Sequence, residues 1–227
     1  MDAASETGAA PVPLRGMRGA IARNMTQGWQ APRVAMGVAV DCSAHARLMQ
    51  ALPASQRVGL TPWVLQAVAQ CLAKHPSINA LLKPEGLVRS NEVHLGLAVG
   101  LEEGLAVPVI RHADQLNLQA MAEQVKALAQ GARQQSLPAK AYQGGTFTVT
   151  NLGMTGIRWF SPILNAPQVG ILGLGSLVET ALVRQGVVQT APVMEMTLVF
   201  DHRALDGLPA AQFLADVQHR LEQPEAA

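Results

Sequence analysis

Segments in which apolar residues alternate with small or polar ones outnumber the long helical patterns in this 227-residue chain. Residues 34–40 and 93–99 show the period of two that is typical of strands, and residues 146–150 show it most clearly. The run 169–174 has no polar face, which predicts a strand buried on both sides. Because strands and helices do not alternate strictly, we predict an α+β fold: a two-layer sandwich with a mixed β-sheet and helices on one side.

Helical periodicity marks the remaining long segments. The first helix is expected from about Leu14 to Pro32, and the last begins near Leu208. Thr61 followed by Pro62 predicts a capped helix start, and Asn117 is expected to cap another helix. Residues 105–110 are expected to return antiparallel to 93–99, with Pro108 weakening that ladder, and residues 185–186 form a second hairpin turn.

Composition excludes several classes of protein. A net charge of +1 gives no reason to expect nucleic acid or an anionic membrane as a partner, and no apolar run is long enough to span a bilayer. Cys42 and Cys71 form neither a disulfide framework nor a CxxC metal site, so we expect a reducing compartment and a cytoplasmic protein. Residues 1–13 lack a secretory signal and are interpreted as a flexible tail or linker remnant before a domain at 14–227.

The motif DHRALDG at residues 201–207 follows an apolar strand and precedes an amphipathic helix. His202 therefore stands at a strand end, where a side chain can reach a cleft, and Asp201, Arg203 and Asp206 flank it. An isolated histidine is more often structural than catalytic, but this setting favours a general base. The sequence contains no GxSxG, HExxH or Walker motif and no local Cys–His signature.

A catalytic His202 would therefore have to activate a group that a substrate brings. A thiol is the natural candidate, because its reference pKa of ~8.5 lies only about two units above that of imidazole. Positioning of the two groups can offset the cost of that proton transfer.

With this motif the chain resembles the catalytic domain of the dihydrolipoyl acyltransferases, the core component of 2-oxo acid dehydrogenase complexes. Those proteins carry DHRxxDG near the C-terminus, and chloramphenicol acetyltransferase is a more distant relative. The segments RGMRGAIARNM, GLAVPVIRHAD, YQGGTFTVTNLGMTG and LNAPQVGILGLG resemble further blocks of the family, in order, from about Arg15 onwards. The resemblance implies a chloramphenicol acetyltransferase-like fold.

The resemblance also implies roles for individual residues. His202 would be the general base that deprotonates coenzyme A, or dihydrolipoamide in the reverse direction. The hydroxyl of Thr150 would donate a hydrogen bond to the oxyanion. On sequence alone an ordinary strand-end hydroxyl is favoured, and the position of Thr150 in the family motif reverses that preference. Asp206 would be structural and paired with an arginine of the first helix, Arg18 or Arg23.

The family further implies a homotrimer with active sites between subunits, so that His202 and Thr150 come from different chains. Coenzyme A would be a substrate, the lipoyl group would be carried on another domain or chain, and no metal is expected. The lipoyl domain and the dehydrogenase components of the complex would be partners. The acyl group, whether acetyl, branched-chain or succinyl, stays open.

Two departures from the family bear on assembly. The chain lacks the lipoyl and peripheral-subunit-binding domains, so it is either an excised catalytic domain or a protein served by lipoyl groups on another chain. Its last residues, 220–227, carry glutamate and alanine in place of the leucine-rich tail of relatives with large cores. Replacing a buried leucine by alanine costs about 2 kcal/mol or more, so we predict a free trimer.

Two other functions stay open. One is a catalytically silent scaffold that organises partner enzymes, although an intact His202, Thr150 and Asp206 disfavour it. The other is an acetyltransferase of the chloramphenicol type that acts on a hydroxyl group. The GGTFTVTNLG and NAPQ blocks favour the lipoamide branch.

Overall fold

A computed structural model describes residues 13–102 and 104–224 of the chain, so the expected tail lies outside the described residues except for Pro13. The predicted pattern of helices is confirmed, and none of the described helices is long and apolar enough to cross a membrane. The described residues contain five α-helices: α1 Gly16–Gln30, α2 Ser43–Ala51, α3 Leu60–Lys74, α4 Leu118–Arg133 and α5 Gly207–Glu222.

Ten strands accompany the helices: β1 Arg33–Asp41, β2 Ala80–Lys83, β3 Gly86–Arg89, β4 Leu95–Leu97, β5 Val99–Leu101, β6 Gly104–Ala106, β7 Val109–Ile110, β8 Phe147–Asn151, β9 Gly170–Arg184 and β10 Val187–Asp201. Six of them form the main sheet in the order β1-β10-β9-β8-β4-β7. The β8–β9 and β4–β8 pairs are parallel and the other pairs are antiparallel. The predicted mixed sheet and α+β class are confirmed.

The two faces of the sheet are covered differently. Phe147 of β8 and Phe200 of β10 lie in the core beneath α3 and α5, where Phe147 meets Phe213 edge-on at 5.7 Å between ring centroids. Each buried phenylalanine contributes about 1.5–3 kcal/mol of hydrophobic stabilisation. On the opposite face Ile171 packs in a smaller apolar cluster with Leu164, and α1 covers this side. This second face carries the cleft described below.

The structure differs from the expected pattern of strands at two places. The hairpin over 93–110 is divided, because Pro108 has no N–H to donate and Ala98 turns its own N–H to Val149 O of β8 at 2.9 Å. As a result β4 and β7 pair within the main sheet while β5 and β6 form a separate two-stranded ribbon. The β2–β3 hairpin is an element that the sequence pattern did not predict, since β3 is exposed throughout.

The predicted cap residues have different outcomes. Asn117 caps α4 as expected, with its side-chain oxygen accepting from Ala120 N–H at 2.9 Å. Thr61 does not cap α3, whose N-cap is Gly59. Pro62 is tolerated in the first turn because the N–H groups there have no helical partner in any case. The hydroxyl of Thr61 instead contacts Asn151 at the end of β8.

Candidate active site

The turn at residues 201–207 is held in shape by Asp201. This aspartate is only 4 % exposed, and its carboxylate accepts hydrogen bonds from Arg203 N at 3.0 Å and from Arg203 Nη2 at 2.6 Å. That contact raises the pKa of the Arg203 guanidinium above its usual range. The N–H groups of Ala204 and Leu205 close the turn onto Asp201 O. The backbone that carries His202 is thus fixed from both sides.

The His202 side chain lies at the surface of the single chain. It is 46 % exposed, its ring packs against Phe200 at 5.8 Å between centroids, and its backbone N–H donates to Pro32 O at 2.9 Å. Within the described residues neither ring nitrogen has a hydrogen-bond partner, and the nearest carboxylate is that of Asp206 at 3.9 Å from Nδ1. The imidazole is therefore accessible to a proton from an incoming group.

The expected ion pair of Asp206 with the first helix is wrong for a single chain. Asp206 is 88 % exposed, and its one ion pair among the described residues is the long contact to His202. Arg18 lies beside Gly104, in the β5–β6 ribbon on the far face of the sheet. Asp201, not Asp206, braces the turn, because only Asp201 points back into the protein. A pair between Asp206 and an arginine of another subunit stays a prediction.

Thr150 opens onto a cleft on the sheet face opposite α3 and α5. In β8 the side chains of Phe147 and Val149 enter the core, so Thr148 and Thr150 face the other way. The cleft has a volume of about 380 Å³ and is mainly apolar. Four segments of the chain supply its walls, namely Ala20, Ile21, Asn24 and Met25 of α1; Ala98, Leu105 and Val107; Thr148, Thr150 and Ile171 of the sheet; and Phe160, Pro162, Ile163 and Asn165.

Polar side chains around Thr150 fix the end of β8. Asn151 accepts from Gly153 N–H at 2.7 Å and donates to Thr61 Oγ1 at 3.0 Å. Gly173, which pairs with Thr150, leaves room for Phe160 and Pro162, since a Cβ there would lie 3.0 Å and 3.2 Å from their side-chain atoms. Asn151 is a positioning residue that the sequence did not predict, and its signal there is its place in a glycine-bearing turn.

One chain does not bring His202 and Thr150 together. Gly170 pairs with Phe200 just before His202, whereas Thr150 pairs with Gly173 further along β9. The two residues are separated by two inter-strand spacings across the sheet and by several residues along the strand direction. The two side chains therefore lie roughly 15–20 Å apart. A single chain therefore does not bring the two predicted site residues within reach of one another.

Other chemically capable groups belong elsewhere. Burial raises the pKa of the Cys42 and Cys71 thiols to about 11, so neither is a nucleophile near neutral pH. A concavity of about 970 Å³ between α2, α3 and the end of α5 is lined by neither His202 nor Thr150.

A group of three possible metal ligands also lies apart from the cleft. The ligand atoms of Glu92, His94 and His112 fall within 4.8 Å of one another. The backbone N–H of His112 donates to Nδ1 of His94 at 3.1 Å, so a neutral ring carries its proton on Nε2, which faces Glu92 at 3.0 Å. A protonated Nε2 is not a free metal ligand, and the three residues form a hydrogen-bonded loop brace.

Comparison with known proteins identifies the family. The family model of the 2-oxoacid dehydrogenases acyltransferase (catalytic domain) matches residues 6–227. The chain belongs to this family. The resemblance drawn from DHRALDG and the other sequence blocks is therefore confirmed.

Curated relatives of this acyltransferase-family chain include bacterial proteins named for different acyl groups. The dihydrolipoyllysine-residue acetyltransferase component of the acetoin cleaving system of Bacillus subtilis (strain 168) is 38 % identical over 98 % of the chain and 58 % of the relative. The succinyltransferase component of the 2-oxoglutarate dehydrogenase complex of Bartonella vinsonii subsp. berkhoffii is 40 % identical over 74 % of the chain and 41 % of the relative. The chain spans about half the length of these relatives.

Solved structures of the family superpose closely. Azotobacter vinelandii dihydrolipoamide acetyltransferase, studied for the role of a serine, a histidine and an asparagine in its catalytic mechanism, matches with a TM-score of 0.91 and 32 % identity over 96 % of this chain and 93 % of that one. The cubic core of a pyruvate dehydrogenase multienzyme complex matches with a TM-score of 0.92 and 32 % identity over 100 % and 96 %. A chloramphenicol acetyltransferase shares the fold, with a TM-score of 0.56 and 16 % identity over 88 % and 94 %.

Proposed function

We propose that the chain transfers an acyl group between dihydrolipoamide and coenzyme A within a 2-oxo acid dehydrogenase complex. One observation carries the proposal. The serine, histidine and asparagine studied in the Azotobacter enzyme are separated along their chain as Thr150, His202 and Asp206 are along this one. Thr150 stands at the place of the serine and retains a hydroxyl group. The asparagine is replaced by Asp206, whose ionised carboxylate accepts hydrogen bonds but donates none.

The proposed mechanism uses the accessible imidazole and the strand-end hydroxyl. His202 takes the proton of the attacking thiol, and the thiolate adds to the carbonyl carbon of the thioester. The O–H of Thr150 donates to the oxyanion of the tetrahedral intermediate, an interaction commonly worth about 3–4 kcal/mol. Collapse breaks the other carbon–sulfur bond, and the departing thiolate receives the proton back from His202. General base catalysis contributes about 100- to 10,000-fold in such reactions.

We further propose that two chains complete each site in a homotrimer. The separation of His202 from Thr150 within one chain supports this arrangement, because one substrate carbonyl cannot meet both side chains at that distance. The similarity to the cubic core of a multienzyme complex supports an oligomer. A lipoyl group on another domain or chain and the dehydrogenase components would be the partners. The unpaired Cys42 and Cys71 fit a cytoplasmic location.

The test is a direct assay of acyl transfer from acetyl-coenzyme A to dihydrolipoamide, for the wild type and for His202→Ala. We expect turnover by the wild type and a loss of about 1000-fold in kcat for the variant. Absence of turnover by the wild type would favour a silent scaffold. Faster transfer to a hydroxyl acceptor would favour the chloramphenicol type, and equal rates for both proteins would refute the role of His202.

A further inference from the structure

The cleft beside Thr150 is poor in groups that could bind an anion. Among the described residues its lining contains no lysine, arginine or histidine, and its polar members besides Thr150 are Asn24, Thr148 and Asn165. Most of the wall is aliphatic or aromatic, from Ile21 and Met25 on α1 to Phe160 and Ile163 opposite. Such a surface favours an apolar ligand.

The polar side chains of the lining other than Thr150 are already engaged with the protein. The Thr148 hydroxyl donates to Gln168 Oε1 at 2.6 Å and accepts from Asn165 Nδ2 at 3.2 Å. The amide of Asn24 donates to Ala166 O at 3.0 Å. These donors hold the loop of residues 160–168 against the sheet and α1. A carboxylate that entered the cleft would lose its water without gaining a matching set of donors.

We propose that this cleft holds the acyl chain of the substrate and selects a neutral acyl group over one that ends in a carboxylate. The inference rests on the proposed function, in which the Thr150 hydroxyl binds the oxygen of the thioester carbonyl. The carbon that bears this oxygen also bears the acyl chain. The chain must therefore begin within a few ångströms of Thr150, where the cleft walls surround it. The volume of about 380 Å³ leaves room for more than a two-carbon group.

Arg18 is a described cation that lies next to a lining segment. Its guanidinium lies beside Gly104, next to Leu105 at the rim of the cleft, and Arg18 is exposed to solvent. A charge at that position is screened by water, so it compensates little for a carboxylate buried near Thr150. An Arg18→Ala variant tests this point directly.

The experiment compares three thioesters as donors to dihydrolipoamide: acetyl-, butyryl- and succinyl-coenzyme A. Butyryl and succinyl groups have the same chain length and differ in the terminal carboxylate, so the pair separates charge from size. We expect kcat/KM for butyryl-coenzyme A to be within about tenfold of the acetyl value and at least about 100-fold above the succinyl value. The Arg18→Ala variant should show the same order.

Variants of Met25 sharpen the comparison. Lysine has nearly the length of methionine, so Met25→Lys places a cation in the cleft, and Met25→Gln is its uncharged control. We expect Met25→Lys to raise the succinyl-to-butyryl ratio of kcat/KM by about tenfold or more, and Met25→Gln to leave it nearly unchanged. Ile21→Lys and Ile21→Gln repeat the test at another place on α1 if Met25 variants fold poorly.

Several results would overturn the inference while leaving the proposed function intact. One is transfer of succinyl groups as fast as transfer of butyryl groups. Another is slow transfer of butyryl and succinyl groups alike. A third is an equal rise of the succinyl-to-butyryl ratio of kcat/KM in Met25→Lys and Met25→Gln. Succinyl transfer that depends on Arg18 would also overturn it. Failure to transfer any acyl group would overturn the proposed function together with the inference.

Discussion

The two halves of the proposed site are built in opposite ways. Thr150 lies on the sheet and is enclosed by walls from four segments of the same chain. His202 lies on a turn that is rigid in its backbone but presents its ring to solvent. In the proposed site, the chain therefore forms the cleft by itself and leaves the base for a second surface to enclose. This difference fits a site in which one chain has a formed cleft and no complete catalytic pair.

A large loss of activity is expected from a change in the enclosed half. Thr150→Ala removes the proposed oxyanion donor and should lower kcat by about 100- to 1000-fold with little change in KM. Thr150→Ser keeps the hydroxyl and should retain activity within about tenfold. Steady-state kinetics of acyl transfer measure both values. Similar losses for alanine and serine would indicate that packing in the cleft, not the hydroxyl, carries the effect.

Mixed oligomers test whether the two halves come from different chains. In a trimer assembled from equal amounts of Thr150→Ala and His202→Ala chains, about a quarter of the interfaces combine an intact His202 with an intact Thr150. Co-expression of the two variants should then restore about a quarter of wild-type activity, although each variant alone is nearly inactive. Activity of the co-expressed sample equal to the mean of the two single variants would place both residues in one subunit.

The enclosed half was also the harder half to predict. Alternation around Thr146 to Thr150 indicated which face of β8 carries the hydroxyl, and DHRALDG indicated the turn, because both depend on neighbouring residues. The cleft depends on contacts between distant segments. Gly28 of α1 approaches Leu164 so closely that a Cβ would lie 2.0 Å from its carbonyl oxygen, and Asn151 reaches Thr61. No local pattern encodes such pairs.

The errors have the same origin. The alternation of residues 93–110 indicated a single hairpin. The pairing of these strands was decided instead by β8, whose Val149 carbonyl accepts a hydrogen bond from the N–H of Ala98. The expected pairing of Asp206 with Arg18 or Arg23 required two segments that lie on different faces of the sheet. Local propensity identifies elements well, whereas pairing depends on the whole fold.

A smaller effect distinguishes the two aspartates of the turn. Asp201→Asn removes a charged acceptor from a nearly buried position and should lower the free energy of unfolding by about 1–2 kcal/mol. Asp206→Asn, the matched control at an exposed position, should change it by less than about 0.5 kcal/mol. Urea unfolding at one fixed protein concentration measures both. A larger loss for Asp206→Asn would instead support a pair with Arg18 or Arg23 across subunits.

A further effect on stability contrasts the exposed imidazole with the two buried thiols. Burial raises the pKa of Cys42 and Cys71 from 9.0 to about 11, so between these values the folded chain holds protons that the unfolded chain has released. The thiols therefore contribute their full stability below pH 9, and that contribution falls as the pH rises toward 11. By pH 10 the loss should be about 1 kcal/mol for each thiol.

Urea unfolding at pH 8 and pH 10 measures this loss, with the Cys42→Ala/Cys71→Ala double variant as control. Other groups titrate in the same range, so the thiol contribution is the part of the pH dependence that the double variant lacks. The variant itself should be less stable than the wild type at pH 8, because it loses two buried sulfur atoms. An equal decline in both proteins would show that the thiols ionise as readily in the folded chain as in the unfolded one. Water would then reach Cys42 and Cys71 in the folded core, and these thiols would not differ in solvent access from the exposed His202.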